Sequence, residues 1–293
     1  MSVESLPTNH TRDTAVAGKS RSGCNMLLYA KELAKRIVPY RIYSPILDLY
    51  HYLSSRKYVG DEFECPLCRG HFTKFLPAGF SFPVLKEKQV VGAGYRLNTT
   101  CPRCFSGDRE RLLYLFLTKT NPNMFVDRIK LLHVAPEKGL RGFFMSHSNI
   151  DYLTADLSSP LAKTKMDITK IEQDNGTFDV IICNHVLEHI QDDAKAILEL
   201  FRVLRPSGFA ILQVPISYSI ESTIEDPSIT NPRDRERHFG QRDHVRIYGR
   251  DYTERLEQAG FSVKVHDFIA ELKPEDVHKY GLSTDEKIYL CSK

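Results

Sequence analysis

The chain has 293 residues, with 40 lysines and arginines against 37 aspartates and glutamates, and a formal net charge of +3. This near balance gives no strong field of the kind that proteins dedicated to nucleic acid carry, and the apolar runs are too short to span a membrane. The length allows one large domain or two small ones. Because the N-terminus lacks the apolar core of a secretion signal, we expect a cytoplasmic protein without a transmembrane segment.

The first part of the chain predicts a tail followed by helices. Residues 1–23 are rich in Ser, Thr, Asn, Gly and charge, so we expect them to be disordered. Residues 24–57 carry apolar residues at helical spacing, interrupted by Pro39 and Pro45, and predict a helical segment that packs on the body of the protein. The lysines and arginines of this segment leave a helix at a membrane surface or on a partner as the alternative.

Two cysteine pairs, Cys65-Pro-Leu-Cys68 and Cys101-Pro-Arg-Cys104, are separated by 32 residues. Each pair places two thiolates on a tight turn, and four thiolates complete the tetrahedron of a structural zinc site. We therefore predict a zinc ribbon over residues 58–105, with reduced or redox-active cysteine pairs as the alternative. Short strands around a small aromatic core are expected between the pairs, from Phe72, Phe75, Phe80 and Phe82.

From about residue 129, short apolar runs alternate with segments of helical periodicity. The run Phe178–Cys183 is rich in Ile and Val, which is typical of a strand buried on both faces of a parallel sheet. This alternation predicts an α/β fold over residues 106–293, with a doubly wound, mostly parallel, seven-stranded sheet. The expected strands are 129–134, 151–156, 165–167, 178–183, 209–214, 261–268 and 288–291, with a helix capped by Ser106 leading into the first.

A resemblance to a known family rests on two stretches. Phe178-Asp-Val-Ile-Ile-Cys-Asn-His-Val-Leu-Glu-His-Ile190 is followed by Arg202-Val-Leu-Arg-Pro-Ser-Gly208. In order and spacing, they resemble the fourth strand and the approach to the fifth strand in class I methyltransferases dependent on S-adenosylmethionine (SAM), of the ubiquinone type or type 11. The resemblance covers about residues 129–293. It implies a Rossmann-like fold, SAM as the cofactor and methyl transfer as the activity.

The first motif of this family departs from its usual form. The family carries Asp-x-Gly-x-Gly-x-Gly after the first strand, whereas here the stretch reads His133-Val-Ala-Pro-Glu-Lys-Gly139, with Ala135 and Glu137 in place of glycines. We expect the Glu137 carboxylate to accept from the ammonium group of SAM, and backbone amides at the helix start to face the SAM carboxylate. A loop that has lost cofactor binding is the alternative.

The resemblance also implies the positions of the other cofactor contacts. Asp156 ends the second strand, where a carboxylate accepts from both ribose hydroxyls. Asp167 suits the adenine amino group, and Ile168 is placed to stack on the adenine ring. The full set of expected cofactor-binding residues is His133, Ala135, Pro136, Glu137, Gly139, Asp156, Asp167, Ile168 and Asn184.

Methyl transfer from a sulfonium is an in-line displacement, so the enzyme mainly aligns donor and acceptor, and an oxygen or nitrogen acceptor also needs a base. His185 and His189 follow the fourth strand and are candidates. The polar stretch 215–245 follows the fifth strand, and we expect a long loop that folds over the cleft. It supplies further candidates for a base with an orienting carboxylate: His238, Asp243 and His244.

A catalytic metal is not expected from the sequence. In small-RNA 2′-O-methyltransferases, a Glu-x-x-Glu-His cluster and a distant histidine bind a divalent ion. The aligned residues here are His185-Val-Leu-Glu188-His189, so a histidine replaces the first glutamate. Metal-free methyltransferases also carry Leu-Glu-His.

Three classes of function follow from these features. We expect a methyltransferase that acts on an oxygen or nitrogen of a small-molecule or glycan-type acceptor. An RNA methyltransferase whose ribbon holds the nucleic acid is the second class, and a non-catalytic SAM-fold binding protein is the third. The hypothesis of an RNA methyltransferase is supported by the basic residues of the predicted ribbon: Lys74, Lys86, Lys88, Arg96 and Arg103.

Overall fold

The computed structural model of the chain describes residues 40–160 and 162–293, with the backbone alone for residues 40–44. The predicted tail over 1–23, and the first part of the predicted helical segment 24–57, lie outside the described residues. Helix α1, Tyr40–Ser55, occupies most of the remainder of that segment. Residues 48–293 form one compact unit. No helix in the described ranges is long and apolar enough to cross a membrane.

The cysteine pairs lie on two small antiparallel sheets. Strand β1, Val59–Cys65, pairs with β2, Gly70–Phe72, and β3, Leu76–Ala78, pairs with β5, Arg96–Thr100. Phe72 and Phe75 lie in the shared core, as predicted. The full core of buried residues is Phe63, Cys65, Phe72, Phe75 and Cys101.

The segment 79–95 does not stay with the cysteine-bearing strands. It forms helix α2, Pro83–Glu87, and strand β4, Val90–Val91. Strand β4 pairs antiparallel with β11, Ile216–Ser217, more than a hundred residues further along the chain. The prediction that Phe80 and Phe82 lie in the core of the cysteine-bearing sheets is therefore wrong, because this segment leaves those sheets and packs on a separate cluster. That cluster consists of Leu85, Val90, Ala93, Phe239 and Ile247, with Phe82 packed against it.

Helix α3, Asp108–Thr120, leads from the cysteine-bearing sheets to the central sheet. Its N-cap is Gly107 and not the predicted Ser106, and the Glu110 side chain accepts from the Gly107 amide at 2.8 Å. The Ser106 hydroxyl is instead 3.3 Å from Cys65 Sγ and 3.1 Å from Cys104 Sγ. The Ser106 hydroxyl therefore contacts two cysteine sulfurs and does not cap the helix.

The central sheet has seven strands. In chain order these are β6 (Ile129–Val134), β7 (Ile150–Asp156), β8 (Thr164–Lys165), β9 (Phe178–Asn184), β10 (Leu204–Gln213), β14 (Ser262–His266) and β15 (Ile288–Ser292). Their order across the sheet is β14-β15-β10-β9-β6-β7-β8. All neighbouring pairs from β10 to β8 are parallel, and β15 is antiparallel to both β10 and β14. The predicted seven-stranded, mostly parallel sheet of the Rossmann-like methyltransferase fold is confirmed.

Helices cover both faces of this sheet. Alternate residues of β9 point to opposite faces, with Ile181 and Cys183 in one apolar cluster and Val180 and Ile182 in the other. Helices α5, Asp193–Val203, and α7, Tyr252–Gln258, contribute to the first cluster. Helices α3 and α4, Lys138–Met145, contribute to the second. Strand β9 is therefore buried on both faces, as its unbroken apolar run predicts.

The stretch 215–245 is not the long loop that we expected. Besides β11 it contains strand β12, Ile224–Glu225, and helix α6, Pro232–Phe239, and β12 pairs with β13, Arg246–Ile247. The side chain of Asn231 caps α6 by accepting from the Arg233 amide at 2.8 Å, proline occupies the first helical turn, and Gly240 ends the helix in the left-handed conformation. These are ordinary helix-boundary signals, and the high polarity of the segment obscured them.

Arg111 on α3 connects three parts of the fold. Its side chain is fully buried, and the guanidinium carbon lies 4.3 Å from the centre of the Phe75 ring. On one side the guanidinium donates to the carbonyls of Thr99 and Ser106, at 2.8 and 2.7 Å. On the other it donates to the carbonyls of Tyr280 and Gly281, at 2.6 and 2.9 Å, just beyond helix α8, Pro274–Lys279.

Replacing Arg111 with Met should lower the free energy of unfolding by at least about 3 kcal/mol, since several buried carbonyl groups would lose their donors. Urea denaturation followed by circular dichroism measures the change. Arg128→Met is the matched control, because Arg128 is exposed, and its effect should stay within about 0.5 kcal/mol. Equal effects of the two substitutions would contradict the structural role of Arg111.

Candidate active site

The loop after β6 turns sharply at the carboxyl edge of the sheet. Ala135 adopts a positive φ of 48°, and its amide donates to the Ala155 carbonyl of β7 at 2.8 Å. A left-handed conformation costs a non-glycine residue roughly 1–2 kcal/mol, so the surrounding contacts must hold this turn. Ala135 thus keeps the turn that a glycine would make most easily, at one of the positions where the family usually has glycine.

Glu137 joins this loop to three strands through a chain of hydrogen bonds. Its Oε2 is 2.6 Å from Nε2 of the buried His133 on β6, whose Nδ1 is 2.8 Å from the Tyr152 hydroxyl on β7. Its Oε1 accepts from Asn184 Nδ2 of β9 at 3.0 Å. Burial opposes ionisation of Glu137, but the His133 ring and the Asn184 amide outweigh burial and lower the pKa of this carboxyl. Glu137 is therefore a carboxylate at neutral pH.

Asn184 presents a second acceptor next to this carboxylate. The residue is 8% exposed, and its Oδ1 has no hydrogen-bond partner in the described part of the chain. A buried amide oxygen without a donor is unfavourable, so the position suits a ligand that donates. The predicted residues His133, Glu137 and Asn184 thus form one hydrogen-bonded group, in which Asn184 Oδ1 is left without a donor among the described residues.

The first turn of α4 has a different partner from the one that the sequence suggested. Glu110 Oε2 accepts from the amides of Gly139 and Leu140, at 3.0 and 3.4 Å. A Cβ atom at position 139 would lie 2.6 Å from this oxygen, so glycine is required for the approach of Glu110. The expectation that these amides face the SAM carboxylate is corrected, because a carboxylate of the chain itself engages them. Sequence analysis missed Glu110, whose capping position at the start of α3 was its only signal.

The two predicted aspartates stand at the ends of neighbouring strands. Asp156 ends β7, and its Oδ1 accepts from the amides of Ser158 and Ser159, both at 2.7 Å. Asp167 lies just beyond β8 and is exposed, and its Oδ1 accepts from the Thr169 amide and hydroxyl at 2.9 and 2.8 Å. Ile168 is only 3% exposed and packs in the core below. Each carboxylate is therefore oriented by hydrogen bonds from its own turn.

Histidines gather at the carboxyl end of β9. His185 has a positive φ of 53°, and its amide donates to the Gln213 carbonyl at the end of β10, at 2.7 Å. A short 3₁₀ helix, Leu187–His189, follows. Glu188 Oε1 lies 3.4 Å from His185 Nδ1 and 4.0 Å from His189 Nε2. The His189 ring meets the His244 ring edge to face, with 4.7 Å between the ring centres.

The segment that carries His244 is fixed to this 3₁₀ helix. The Val245 amide donates to the Glu188 carbonyl at 2.9 Å. The side chain of Arg246 is 2% exposed and donates to the carbonyls of Leu187, Ile190 and Gln191. The structure therefore brings His244 and Asp243 to the end of β9, next to His185, as the sequence suggested. His238 is not brought there; it is exposed on α6 and lines a different groove, with Phe82 and Arg242.

A second wall of this region comes from the N-terminal half of the chain. Arg109 on α3 contacts His185 Nε2 and donates to the Gly92 carbonyl at 3.0 Å. Gly92 has a φ of 86°, and a Cβ atom there would lie 3.1 Å from His185 Cε1. The sequence does not indicate Arg109 or Gly92 as site residues, because both approach His185 from far away along the chain.

Residues 128–265 match a protein family described as a methyltransferase domain. The chain contains a methyltransferase domain. The matched residues include β6 to β10, the loop with Glu137, and the stretch 215–245. The carboxyl edge described above therefore belongs to this methyltransferase domain.

Several solved methyltransferase structures are similar to the chain. A SAM-dependent methyltransferase from Mesorhizobium loti has 15% identity over 64% of this chain and 100% of its own, with a TM-score of 0.42. One from Archaeoglobus fulgidus has 14% identity over 64% and 95%, with a TM-score of 0.40. Phosphoethanolamine N-methyltransferase 2 from Haemonchus contortus has 14% identity over 61% and 52%, with a TM-score of 0.42. No curated protein matches the chain in sequence.

Glu110 should make the stability of the methyltransferase depend on pH. Burial, and then the charge of Glu137, raise the pKa of Glu110 from 4.5 to about 7. Between these values the folded chain binds more protons than the unfolded chain, so the free energy of unfolding falls as pH rises. Relative to Glu110→Gln, the wild type should lose up to about 3 kcal/mol between pH 4.5 and pH 7.5.

Urea denaturation of both proteins across this pH range measures the difference. Subtracting one curve from the other removes the contribution of the other titrating groups. Parallel curves would show that Glu110 is not titrating in this window.

Proposed function

We propose that the chain transfers a methyl group from SAM to an oxygen or nitrogen of a small-molecule or glycan-type acceptor at the carboxyl end of β9. The observation that carries this proposal is the pair of acceptors formed by the Glu137 carboxylate and the unpartnered Asn184 Oδ1. The pair lies at the edge of the sheet where open α/β folds bind ligands, inside the matched methyltransferase domain.

The chain offers a partner for each polar part of the cofactor. Glu137 and Asn184 suit the ammonium group, and both are held in place by the hydrogen-bond chain through His133. Asp156 suits the ribose hydroxyls, since its Oδ1 is fixed by two amides and this orients the whole carboxylate. Asp167 suits the adenine amino group. When bound, SAM supplies an electrophilic methyl group on a sulfonium.

Neutral imidazoles lie on the acceptor side. Burial, followed by the nearby Arg109 charge, lowers the pKa of His185 well below 6.5. Burial, followed by the His189 ring, lowers the pKa of His244 to about 4. Both rings are therefore neutral at pH 7. Asp243 Oδ2 lies 3.4 Å from His189 Nδ1, so the orienting carboxylate is assigned to His189 and not to His244.

Three of the five basic residues that favoured an RNA acceptor have partners within the chain. Arg96 pairs with Asp108 through two hydrogen bonds, at 3.0 and 3.2 Å. The Arg103 guanidinium lies over the Phe72 ring, and the Lys74 ammonium lies over the Tyr58 ring. Charges that are engaged in this way contribute less to a continuous phosphate-binding surface. A small-molecule or glycan-type acceptor is therefore preferred.

We also infer that the four cysteines hold a structural zinc ion. Their sulfur atoms all lie within 4.8 Å of one another, with Cys65 Sγ 3.6 Å from Cys104 Sγ and Cys68 Sγ 3.7 Å from Cys101 Sγ. Four sulfurs at about 2.3 Å from a tetrahedral zinc stand about 3.8 Å apart. The observed distances fit this geometry, and four protein ligands leave no open position for chemistry.

Isothermal titration of the purified full-length protein with SAM tests the cofactor site. Asp156→Ala should weaken SAM binding at least about tenfold, because a charge-assisted pair of hydrogen bonds is lost. Asp151→Ala is the matched control, since Asp151 lies near the other end of the same strand, and it should leave the affinity unchanged. Absence of SAM binding by the wild type would overturn the proposed function. If RNA copurifies with the protein and dissociates when salt is added, the result would instead indicate that RNA is the methyl acceptor.

Metal analysis of the purified protein should give zinc bound to the cysteine cluster. Cys68→Ser should remove that zinc and unfold the strands around it, because small zinc-bound folds depend on their metal. Cys24→Ser serves as the control, since this cysteine lies outside the described residues and outside both pairs, and it should retain the zinc. If the Cys68→Ser variant stays folded and holds as much zinc as the wild type, the assignment is refuted.

A further inference from the structure

Three potential metal ligands meet at the carboxyl end of β9, apart from the cysteines. Glu188 and His189 come from the 3₁₀ helix after β9, and His244 comes from the stretch before β13. Each offers one ligand atom, and these atoms all lie within 4.8 Å of one another. We call Glu188, His189 and His244 the Glu-His-His cluster. It combines residues from two separate parts of the chain that the Val245–Glu188 backbone hydrogen bond holds together.

Two atoms of this cluster are buried without a partner. Glu188 is 1% exposed and His244 is 2% exposed. Glu188 Oε2 and His244 Nε2 form no hydrogen bond with any described residue. Burying a polar atom without a partner is unfavourable, and here a carboxyl oxygen and an imidazole nitrogen of one cluster are both left unsatisfied. A group that accepts both lone pairs would complete the site.

The two histidines are oriented as metal-bound histidines are. His189 Nδ1 faces Asp243 Oδ2 at 3.4 Å, while its Nε2 faces the Glu188 carboxylate. The His244 ring hydrogen-bonds to the backbone of Phe239, and the unpartnered nitrogen is Nε2. In metal sites the nitrogen that does not bind the metal typically donates to a carboxylate or a carbonyl, and this fixes the tautomer. Both rings therefore direct Nε2 toward the shared space.

The chemistry of the donors selects the kind of cation. Two imidazoles and one carboxylate suit divalent transition metals such as Mn²⁺, Fe²⁺, Co²⁺ and Zn²⁺, and three protein ligands leave coordination positions open. His185 Nδ1 lies 3.4 Å from Glu188 Oε1 and helps to orient the carboxylate. His189 is about one third exposed, so the site opens toward the acceptor side of the cleft.

We propose that the Glu-His-His cluster binds one divalent transition-metal cation. Its open positions take an oxygen of the methyl acceptor, which favours a hydroxyl-bearing acceptor over an amine. The role toward the acceptor rests on the proposed methyltransferase function, whereas the cation site itself does not. Glu188, His189 and His244 are then the ligands, and Asp243, His185 and the Phe239 backbone orient them.

Manganese binding to the full-length protein tests the site. Mn²⁺ is a suitable probe because four thiolates prefer softer metals, so the cysteine cluster does not take it up. The electron paramagnetic resonance signal of free Mn²⁺ should fall on titration until one ion is bound per chain. Glu188→Gln, which keeps the size of the side chain, and His244→Asn should each weaken binding at least tenfold. His238→Asn is the matched control in the same stretch of chain and should bind like the wild type.

Two results would overturn the proposal. One is a wild-type protein that binds neither Mn²⁺ nor Co²⁺, which would mean that water fills the space between the unpartnered atoms. The other is equal Mn²⁺ affinity of the wild type and both cluster variants, with circular dichroism showing that all are folded. SAM titration of the same proteins separates this proposal from the proposed function. Cluster variants that lose Mn²⁺ binding but keep the SAM affinity of the wild type support the site. A wild type that binds Mn²⁺ but not SAM keeps the cation site and removes only the role of that site in methyl transfer.

Discussion

The placement of α3 depends on the buried guanidinium of Arg111. Four carbonyls, two near the cysteine-bearing sheets and two beyond α8, share this one cation. Fixing Arg111 also fixes the two residues before it. Arg109 then faces the end of β9, and Glu110 occupies the first turn of α4. Three consecutive residues thus connect the cysteine cluster, the cofactor loop and the acceptor side, because successive helical positions point in directions about 100° apart.

The loop after β6 differs from the glycine-rich loop that the family usually carries at this edge of the sheet. A glycine-rich loop lets its backbone approach a ligand closely. Here Ala135 preserves the turn, while Glu137 and Asn184 present side-chain acceptors where the backbone would otherwise serve. Glu110 satisfies the helix amides that would otherwise attract an anion. The amides at the start of α4 are therefore engaged within the chain, whereas Asn184 Oδ1 is left without a donor among the described residues.

The sequence predicted the central sheet well because the relevant signals are local. Runs such as Phe178–Cys183 and the periodicity around α5 are contained within single elements, so strand bounds were correct to within a few residues except at β10. Asp156, Asn184 and His185 could be placed because parallel strands bring their carboxyl ends to one edge. The pairing of β4 with β11, the reach of Glu110 and the packing of Phe82 could not be read in this way. They depend on contacts between residues far apart in sequence, which no local pattern encodes.

The two-residue pairing of β4 with β11 has a consequence for the order of assembly. During synthesis the cysteine-bearing strands are complete soon after Cys104 emerges, whereas β4 must wait for a partner at Ile216–Ser217. Closing so long a loop is slow, since its entropy must be lost before the contacts form. The apolar residues Leu85 and Val90 stay uncovered in that interval, because Phe239 and Ile247, which cover them, are made later still. The cluster around Leu85 and Val90 therefore stays incomplete until Phe239 and Ile247 have been made, and apolar surface exposed in that interval favours aggregation.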